Sequence, residues 1–229
     1  DKGVQPANIL AITFTNKAAK EMKERIFSLI GRVGFLIQIS TFHSFGLTIL
    51  KEHYEKLGYD KNFTILDSDD SSTVVKKILK DMDKDPKKYS YKAIRNKISS
   101  AKNELMEPED LEKFSTNEMD ELVVNVYKKY KEKLKTNNSV DFDDLLMLPI
   151  TLFRKYPEVL KFYQDRFKYI LIDEYQDTNE AQYILTKMLS AKYKNICVVG
   201  DPDQSIYGFR GSNYRNILNF EKDYKNTKV

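Results

Sequence analysis

One cysteine in 229 residues, Cys197, leaves no partner for an internal disulfide. With only His43 and His53 beside it, a Cys/His zinc site has too few ligands. Cys197 stands in the apolar run Ile196-Cys197-Val198-Val199, so a buried, unreactive thiol is expected. No stretch approaches the ~18 apolar residues of a membrane span. The opening Asp1-Lys2-Gly3-Val4-Gln5-Pro6 does not make a signal peptide, and a reducing, cytoplasmic setting is the expectation. Six prolines and eight glycines are too few for a disordered or collagen-like chain. None of the eight glycines is followed by lysine, so the phosphate-cradling loop G-x-x-x-x-G-K-[ST] is not in this sequence. Nor is G-x-S-x-G, which leaves His43 without a serine nucleophile to activate. The 38 basic and 34 acidic residues balance to +4, which excludes a histone-like polycation and allows a local basic patch.

What is present is core-forming material. The chain is 41% apolar with 15 Tyr and 13 Phe, and its length suits one large domain or a domain with an insertion. Four short runs rich in branched residues read as buried strands: Ile9 to Phe14, Leu36 to Thr41, Tyr169 to Ile172 and Ile196 to Val199. They do not alternate, which predicts a parallel sheet covered on both faces. Ala18, Met22, Ile26 and Ile30 at helical spacing follow the first run. A second such helix, about 179–190, turns Ala181, Ile184, Leu185, Met188 and Leu189 inward after the third run. Strand, helix, strand on this scale means βαβ units and an α/β fold.

The middle differs. From about Asp67 to Leu134 no strand pattern appears. Val74, Val75, Ile78, Leu79 and Met82 make one amphipathic helix. Met119, Leu122, Val123, Val126, Tyr127, Tyr130 and Leu134 make a longer one, capped by Asn117. An all-helical segment therefore interrupts the α/β domain. Its charge is uneven: 87–102 holds six basic residues, no acid, and Tyr89 and Tyr91, whereas 104–121 holds eight acids and one lysine. The basic stretch suits a phosphate backbone, and a solvated helix face explains it equally well.

Three segments carry chemistry. In Tyr169-Ile170-Leu171-Ile172-Asp173-Glu174 a buried strand delivers two adjacent carboxylates, the Walker-B arrangement of nucleotide hydrolases. One carboxylate there holds Mg²⁺ and the next polarises the attacking water. Adjacency also argues against glycoside hydrolysis, whose two carboxylates must flank a substrate. In Val199-Gly200-Asp201-Pro202-Asp203-Gln204, Gly200 allows a sharp turn, and the Gln204 amide could report a γ-phosphate. Tyr207-Gly208-Phe209-Arg210-Gly211 adds two rings on which unpaired bases stack. Thr13-Phe14-Thr15-Asn16-Lys17-Ala18-Ala19 and Ser40-Thr41-Phe42-His43-Ser44-Phe45 each set hydroxyls, a ring and a polar side chain at a strand-to-helix junction, where free N–H groups favour phosphate.

Together these segments resemble the UvrD/PcrA/Rep family of superfamily 1 DNA helicases, the PcrA type most of all. The stretch from Ile9 to Ala19 is similar to family motif Ia, Thr41 to Ser44 to motif Ib, Asp173 to Thr178 to motif II, and Gly200 to Gly211 to motif III. Asp141-Phe142-Asp143-Asp144-Leu145-Leu146 looks like the return of the family's helical insertion to the core; read alone, its acids would cap a helix. The resemblance implies a RecA-like P-loop NTPase sheet lacking its P-loop strand, residues 1–66 and 138–229, with 67–137 as an all-helical inserted subdomain. It implies ATP and Mg²⁺ as cofactors. Asp173 would bind the metal, Glu174 would be the catalytic base, Gln204 would contact the γ-phosphate, and Arg210 would relay between nucleotide and DNA. Phe14, Tyr207 and Phe209 would stack on bases of single-stranded DNA, helped by Thr15, Asn16, Thr41 and His43. The family often carries Trp where Phe209 stands, so weaker stacking is expected there.

The same resemblance places the P-loop strand before residue 1 and a second RecA-like domain after Val229. A 3′→5′ helicase and translocase acting on single strands and single-strand/duplex junctions, with repair or replication proteins as partners, is the implied parent. The chain alone is then expected to be inactive. It is also expected to leave a bare sheet edge beside Tyr169 to Ile172, where other chains could associate. A non-catalytic DNA- or protein-binding module and the helicase part of a helicase–nuclease are the alternatives.

Overall fold

A computed structural model describes residues 3–85, 88–204, 213, 215–225 and 227–229. In chain order the elements begin with β1 (Ile9–Thr13), α1 (Asn16–Ile30), β2 (Gln38–Thr41), α2 (Phe42–His53), β3 (Thr64–Leu66) and α3 (Ser68–Asp81). Then come α4 (Tyr91–Asn103), α5 (Pro108–Glu112), α6 (Glu118–Thr136), β4 (Ser139–Asp141), α7 (Asp144–Lys155) and α8 (Pro157–Arg166). The last are β5 (Tyr169–Ile172), α9 (Glu180–Ser190), β6 (Ile196–Val198), α10 (Arg215–Leu218) and α11 (Phe220–Asp223). Among the described residues no helix is long and apolar enough to cross a membrane.

Two compact units share these elements: Asp1–Thr48 with Pro149–Val229, and Ile49–Leu148. The first holds a parallel four-stranded sheet in the order β2-β1-β5-β6, built from the four apolar runs of the sequence. In-register partners of a parallel sheet share a face. Leu10, Ile12, Ile170 and Ile172 fill one face and are all buried. On the other, Ala11 and Ile39 pack with Ala19 of α1, flanked by Met22 and Ile26. That same face continues through Leu171 to its partner Cys197, and there the cover stops: Leu171 is 43% exposed and Cys197 is exposed too.

Two expectations are corrected by this. Cys197 is not a buried thiol, because α1 covers β1 and β2 but not the β5–β6 half of its face. The strand Tyr169–Ile172 is not at an edge, because β1 pairs with one side of it and β6 with the other. Among the described residues the edges of the sheet are β2 and β6.

The second unit centres on Val75, Ile78 and Leu79 of α3, Ile94, Ile98 and Ala101 of α4, and the inward face of α6 from Leu122 to Leu134. Each large side chain buried there stabilises the unit by about 1.5–3 kcal/mol. The helix starts are written locally: Asp67 and Asp70 form a capping box on α3, and Asn117 accepts the Asp120 N–H at 3.0 Å to start α6. Met119, placed inward by the pattern, is 40% exposed in the first turn. The unit is wider than 67–137 because β3 and β4, lying outside that segment, pair with each other in parallel, Thr64 with Ser139 through Leu66 with Asp141.

Lys102 lies within this unit and not on the basic surface to which the sequence assigned it. It is 1% exposed, with Nζ 2.7 Å from Asp141 and 2.8 Å from Asp144. Tyr130 also donates to Asp141 at 3.0 Å. The two carboxylates exchange backbone bonds, Asp141 N–H to Asp144 at 3.0 Å and Asp144 N–H to Asp141 at 2.9 Å, so they do cap α7 while gripping α4. Elsewhere in the basic stretch Lys97 pairs with Asp120 at 3.2 Å, and the Lys88 ammonium lies 5.3 Å from the Tyr89 ring.

Candidate nucleotide and nucleic-acid edge

Because the four strands are parallel, their C-terminal ends line one edge of the sheet in the order β2, β1, β5, β6. Open α/β sheets bind ligands at that edge. The candidate residues divide along it into two groups.

At the β1 and β2 ends stand the hydroxyl and aromatic residues. Thr15 caps α1, its Oγ1 accepting the Ala18 N–H at 3.1 Å, and Asn16 is exposed in the first turn. Phe14 is half-buried and meets Phe42 edge-to-face, 5.8 Å between centroids. Thr41 accepts the Ser44 N–H at 3.2 Å and donates to Ser44 Oγ at 3.0 Å, which fixes the start of α2. His43 follows, half-buried, and burial lowers its pKa to about 4. The folded imidazole is therefore neutral near pH 7. Between about pH 4 and 6.5 the unfolded chain binds a proton that the folded chain does not, so this residue's contribution to stability is complete above 6.5 and lost as pH falls towards 4. We expect the imidazole resonances of His43 to hold their neutral positions down to pH 5; a midpoint near 6.5 would refute the burial effect.

At the β5 and β6 ends stand the carboxylates. Asp173 N–H still bonds Ile12 O at 3.0 Å, and Val199 N–H bonds Ile172 O at 2.8 Å, so the sheet ladder runs to the base of the site. Glu174 then departs from it with φ 50° and ψ 42°, a left-handed conformation that costs a non-glycine residue about 1–3 kcal/mol. The turn is held from both sides: Asp173 accepts the Glu174 N–H at 3.1 Å, and Tyr175 N–H bonds Val199 O at 2.9 Å. The result exposes the Glu174 side chain at the strand end. Asp177, three residues on, has its carboxyl pushed upward by burial and by the Glu174 charge, and its Oδ1 is buried with no partner among the described residues.

Gln204 ends a short 3-10 turn after β6, and its Nε2 donates to Asp201 at 2.8 Å. Gly200 is required for space and not for a left-handed turn: a Cβ there would collide with Gln176 Oε1, and would stand 2.8 Å from Ile217 and 3.1 Å from the Tyr175 nitrogen. Tyr207, Phe209 and Arg210 lie outside the described residues. Gln176, to which the sequence assigns no role, is 1% exposed and bonded to both segments. The available signal was its place two residues after Glu174.

A donor set of two adjacent carboxylates fits Mg²⁺, which takes one or two protein carboxylates and completes its shell with phosphate and water oxygens. It does not fit a metal caged by protein alone, and no cluster of three or more His, Cys, Asp or Glu suited to a metal occurs among the described residues.

Residues 1–225 match the family model described as the UvrD/REP helicase N-terminal domain. The chain is 54% identical over 229 residues to the ATP-dependent DNA helicase PcrA of Bacillus subtilis, covering all of this chain and 31% of that protein. It is 51% identical over 224 residues to the PcrA helicase of Staphylococcus aureus strain NCTC 8325, covering 98% of this chain and 31% of the relative. It is 50% identical over 229 residues to that of Staphylococcus epidermidis, covering 100% and 31%. The chain thus spans about a third of the length of these relatives.

Proposed function

The chain belongs to the UvrD/REP helicase family through that N-terminal domain, and on this premise we propose that it supplies one wall of the ATP site and part of the single-stranded DNA track of a 3′→5′ DNA helicase. The observation that carries the reading is the division of the sheet edge: carboxylates and Gln204 at the β5 and β6 ends, hydroxyls and rings at the β1 and β2 ends. One sheet then serves nucleotide and DNA side by side, so that a change at one is felt at the other.

Asp173 would hold Mg²⁺, and Glu174, an exposed carboxylate on a left-handed backbone at the strand end, would accept the proton of the attacking water. When bound, the metal neutralises charge on the phosphate oxygens. Gln204 contacts the γ-phosphate through an amide that Asp201 orients. Phe14, Tyr207 and Phe209 stack on bases at roughly 1–3 kcal/mol each, with Thr15, Asn16, Thr41 and His43 along the strand. A neutral His43 acts there as a hydrogen-bonding group and not as a phosphate counter-charge. Arg210 relays between the two sites. In this reading 67–137 is the helical insertion, contained within the compact unit Ile49–Leu148, and 1–66 with 138–229 make the RecA-like core.

Steady-state ATP hydrolysis with and without single-stranded DNA tests this. The 229-residue chain alone is expected to be silent, since it carries no Lys-bearing glycine loop to cradle the phosphates. The full-length protein is expected to turn over ATP only when DNA is added. A full-length protein that binds DNA but never hydrolyses ATP would establish the non-catalytic alternative instead.

A further inference from the structure

Gln176 is a buried amide that joins two segments. Its Nε2 donates to Glu174 Oε2 at 2.7 Å, while its Oε1 accepts the Asp201 N–H at 3.0 Å. Asp201 in turn orients the Gln204 amide at 2.8 Å and accepts the Asp203 N–H at 3.0 Å. A continuous chain of bonds therefore runs from Glu174 through Gln176 and Asp201 to Gln204. Each end of the Gln176 amide has a partner suited to it: a carboxylate takes the N–H, and a backbone N–H gives to the C=O. Shortening or rotating the side chain breaks both bonds, and packing prevents rotation, since Gln176 is 1% exposed and its Oε1 lies against Gly200, where no side chain fits.

We infer that Gln176 is a positioning residue for ATP hydrolysis, fixing the Glu174 carboxylate and the Gln204 turn as one unit. The inference rests on the proposed role of Glu174. Glu174 is otherwise an exposed carboxylate on a strained backbone, free to sample several rotamers. A 1 Å misplacement of a reacting group costs up to about 10²-fold in rate. Because Gln176 is bonded to the turn carrying Gln204, a displaced γ-phosphate contact shifts the Asp201 backbone and, through the amide, the carboxylate.

The test uses the full-length protein, with kcat and the KM for Mg-ATP measured at saturating single-stranded DNA. Gln176→Met keeps the bulk and removes both bonds. Gln176→Glu keeps an oxygen for the Asp201 N–H and loses the donor to Glu174. Gly200→Ala displaces the Gln176 carbonyl from the opposite side while adding no polar group, and presses as well on Ile217 and the Tyr175 nitrogen. All three are expected to lower kcat by ten- to a hundredfold, with KM changed less than about threefold. Three variants are used because any one could lose its fold, which circular dichroism and the melting temperature would reveal. Wild-type kcat in a folded Gln176→Met protein, alongside a silent Glu174→Gln, overturns the inference and leaves the role of Glu174 intact. A rise in KM matching the fall in kcat, with a lowered melting temperature, would make Gln176 merely structural and also overturns it. Wild-type turnover by Glu174→Gln would instead sink the reading on which the inference rests.

Discussion

Replacing Glu174 by Gln in the full-length protein is expected to lower DNA-stimulated ATP turnover by about 10²–10⁴-fold, the usual contribution of a general base. The substitution is nearly isosteric, and an amide oxygen at position 174 can still accept the bond that Gln176 donates at 2.7 Å. The local backbone is held by bonds that do not involve the replaced group, from Asp173 to the Glu174 N–H and from Tyr175 N–H to Val199 O. Nucleotide affinity should therefore change little while kcat collapses, which is the signature of an interaction made only in the transition state. Asp173→Asn should differ, weakening Mg-ATP binding as well. Turnover of Glu174→Gln within a few-fold of wild type would remove Glu174 from the chemistry.

The second large effect concerns stability. Lys102→Met should destabilise the unit Ile49–Leu148 by about 3–5 kcal/mol, the cost of leaving buried carboxylates without their cation. Asp141 and Asp144 share that single ammonium, and they respond differently to it. Lys102 and the Tyr130 hydroxyl keep Asp141 below the usual carboxylate range against the cost of burial. Burial and the Asp141 charge push Asp144 up to about 6. A carboxyl raised in the folded state favours folding most when it is protonated, so the Asp144 contribution is best at low pH and declines as pH rises from about 4 to 6. With Lys102 gone, protonating Asp144 relieves the uncompensated charge. The Lys102→Met penalty, read from urea unfolding, should accordingly be larger at pH 8 than at pH 5. An equal penalty at both would show that lost packing, and not charge, dominates. Asp144→Asn should be much milder, since the amide oxygen can still accept the Asp141 N–H.

The strands of the main sheet were legible because each is a run of branched apolar residues between turn signals, and all four appear in the parallel sheet. β3 and β4 were not, being three residues each with no period to detect. Their pairing depends on a tertiary contact spanning the helical segment. Cys197 was misread because an apolar run says that a strand is apolar, not that both faces are covered; Leu171 and Cys197 share the open face. Lys102 was counted as surface charge because nothing local marks a lysine whose partners lie some 40 residues away. The placement of Asp173 and Glu174 at a strand end was legible in the sequence, whereas the packing around Gly200 was not. Its need for space comes from Gln176 and Ile217, which reach it from other segments.

The pairing of β1 with β5 has a kinetic side. Ile9 meets Tyr169, so the central ladder closes only after the whole of Ile49–Leu148 has been made. Synthesis proceeds at about 5–20 residues per second, and β5 therefore leaves the ribosome on the order of ten seconds after β2. Through that interval β1 lacks β5, and the row of N–H and C=O groups that will face β5 stands open. One of the two interior strands of this sheet thus presents an unpaired edge during synthesis, with an edge strand's tendency to recruit other chains. Contacts local in sequence, such as those between successive helices of that segment, form faster than a pairing this distant, so the β1–β5 ladder is the slow step to expect.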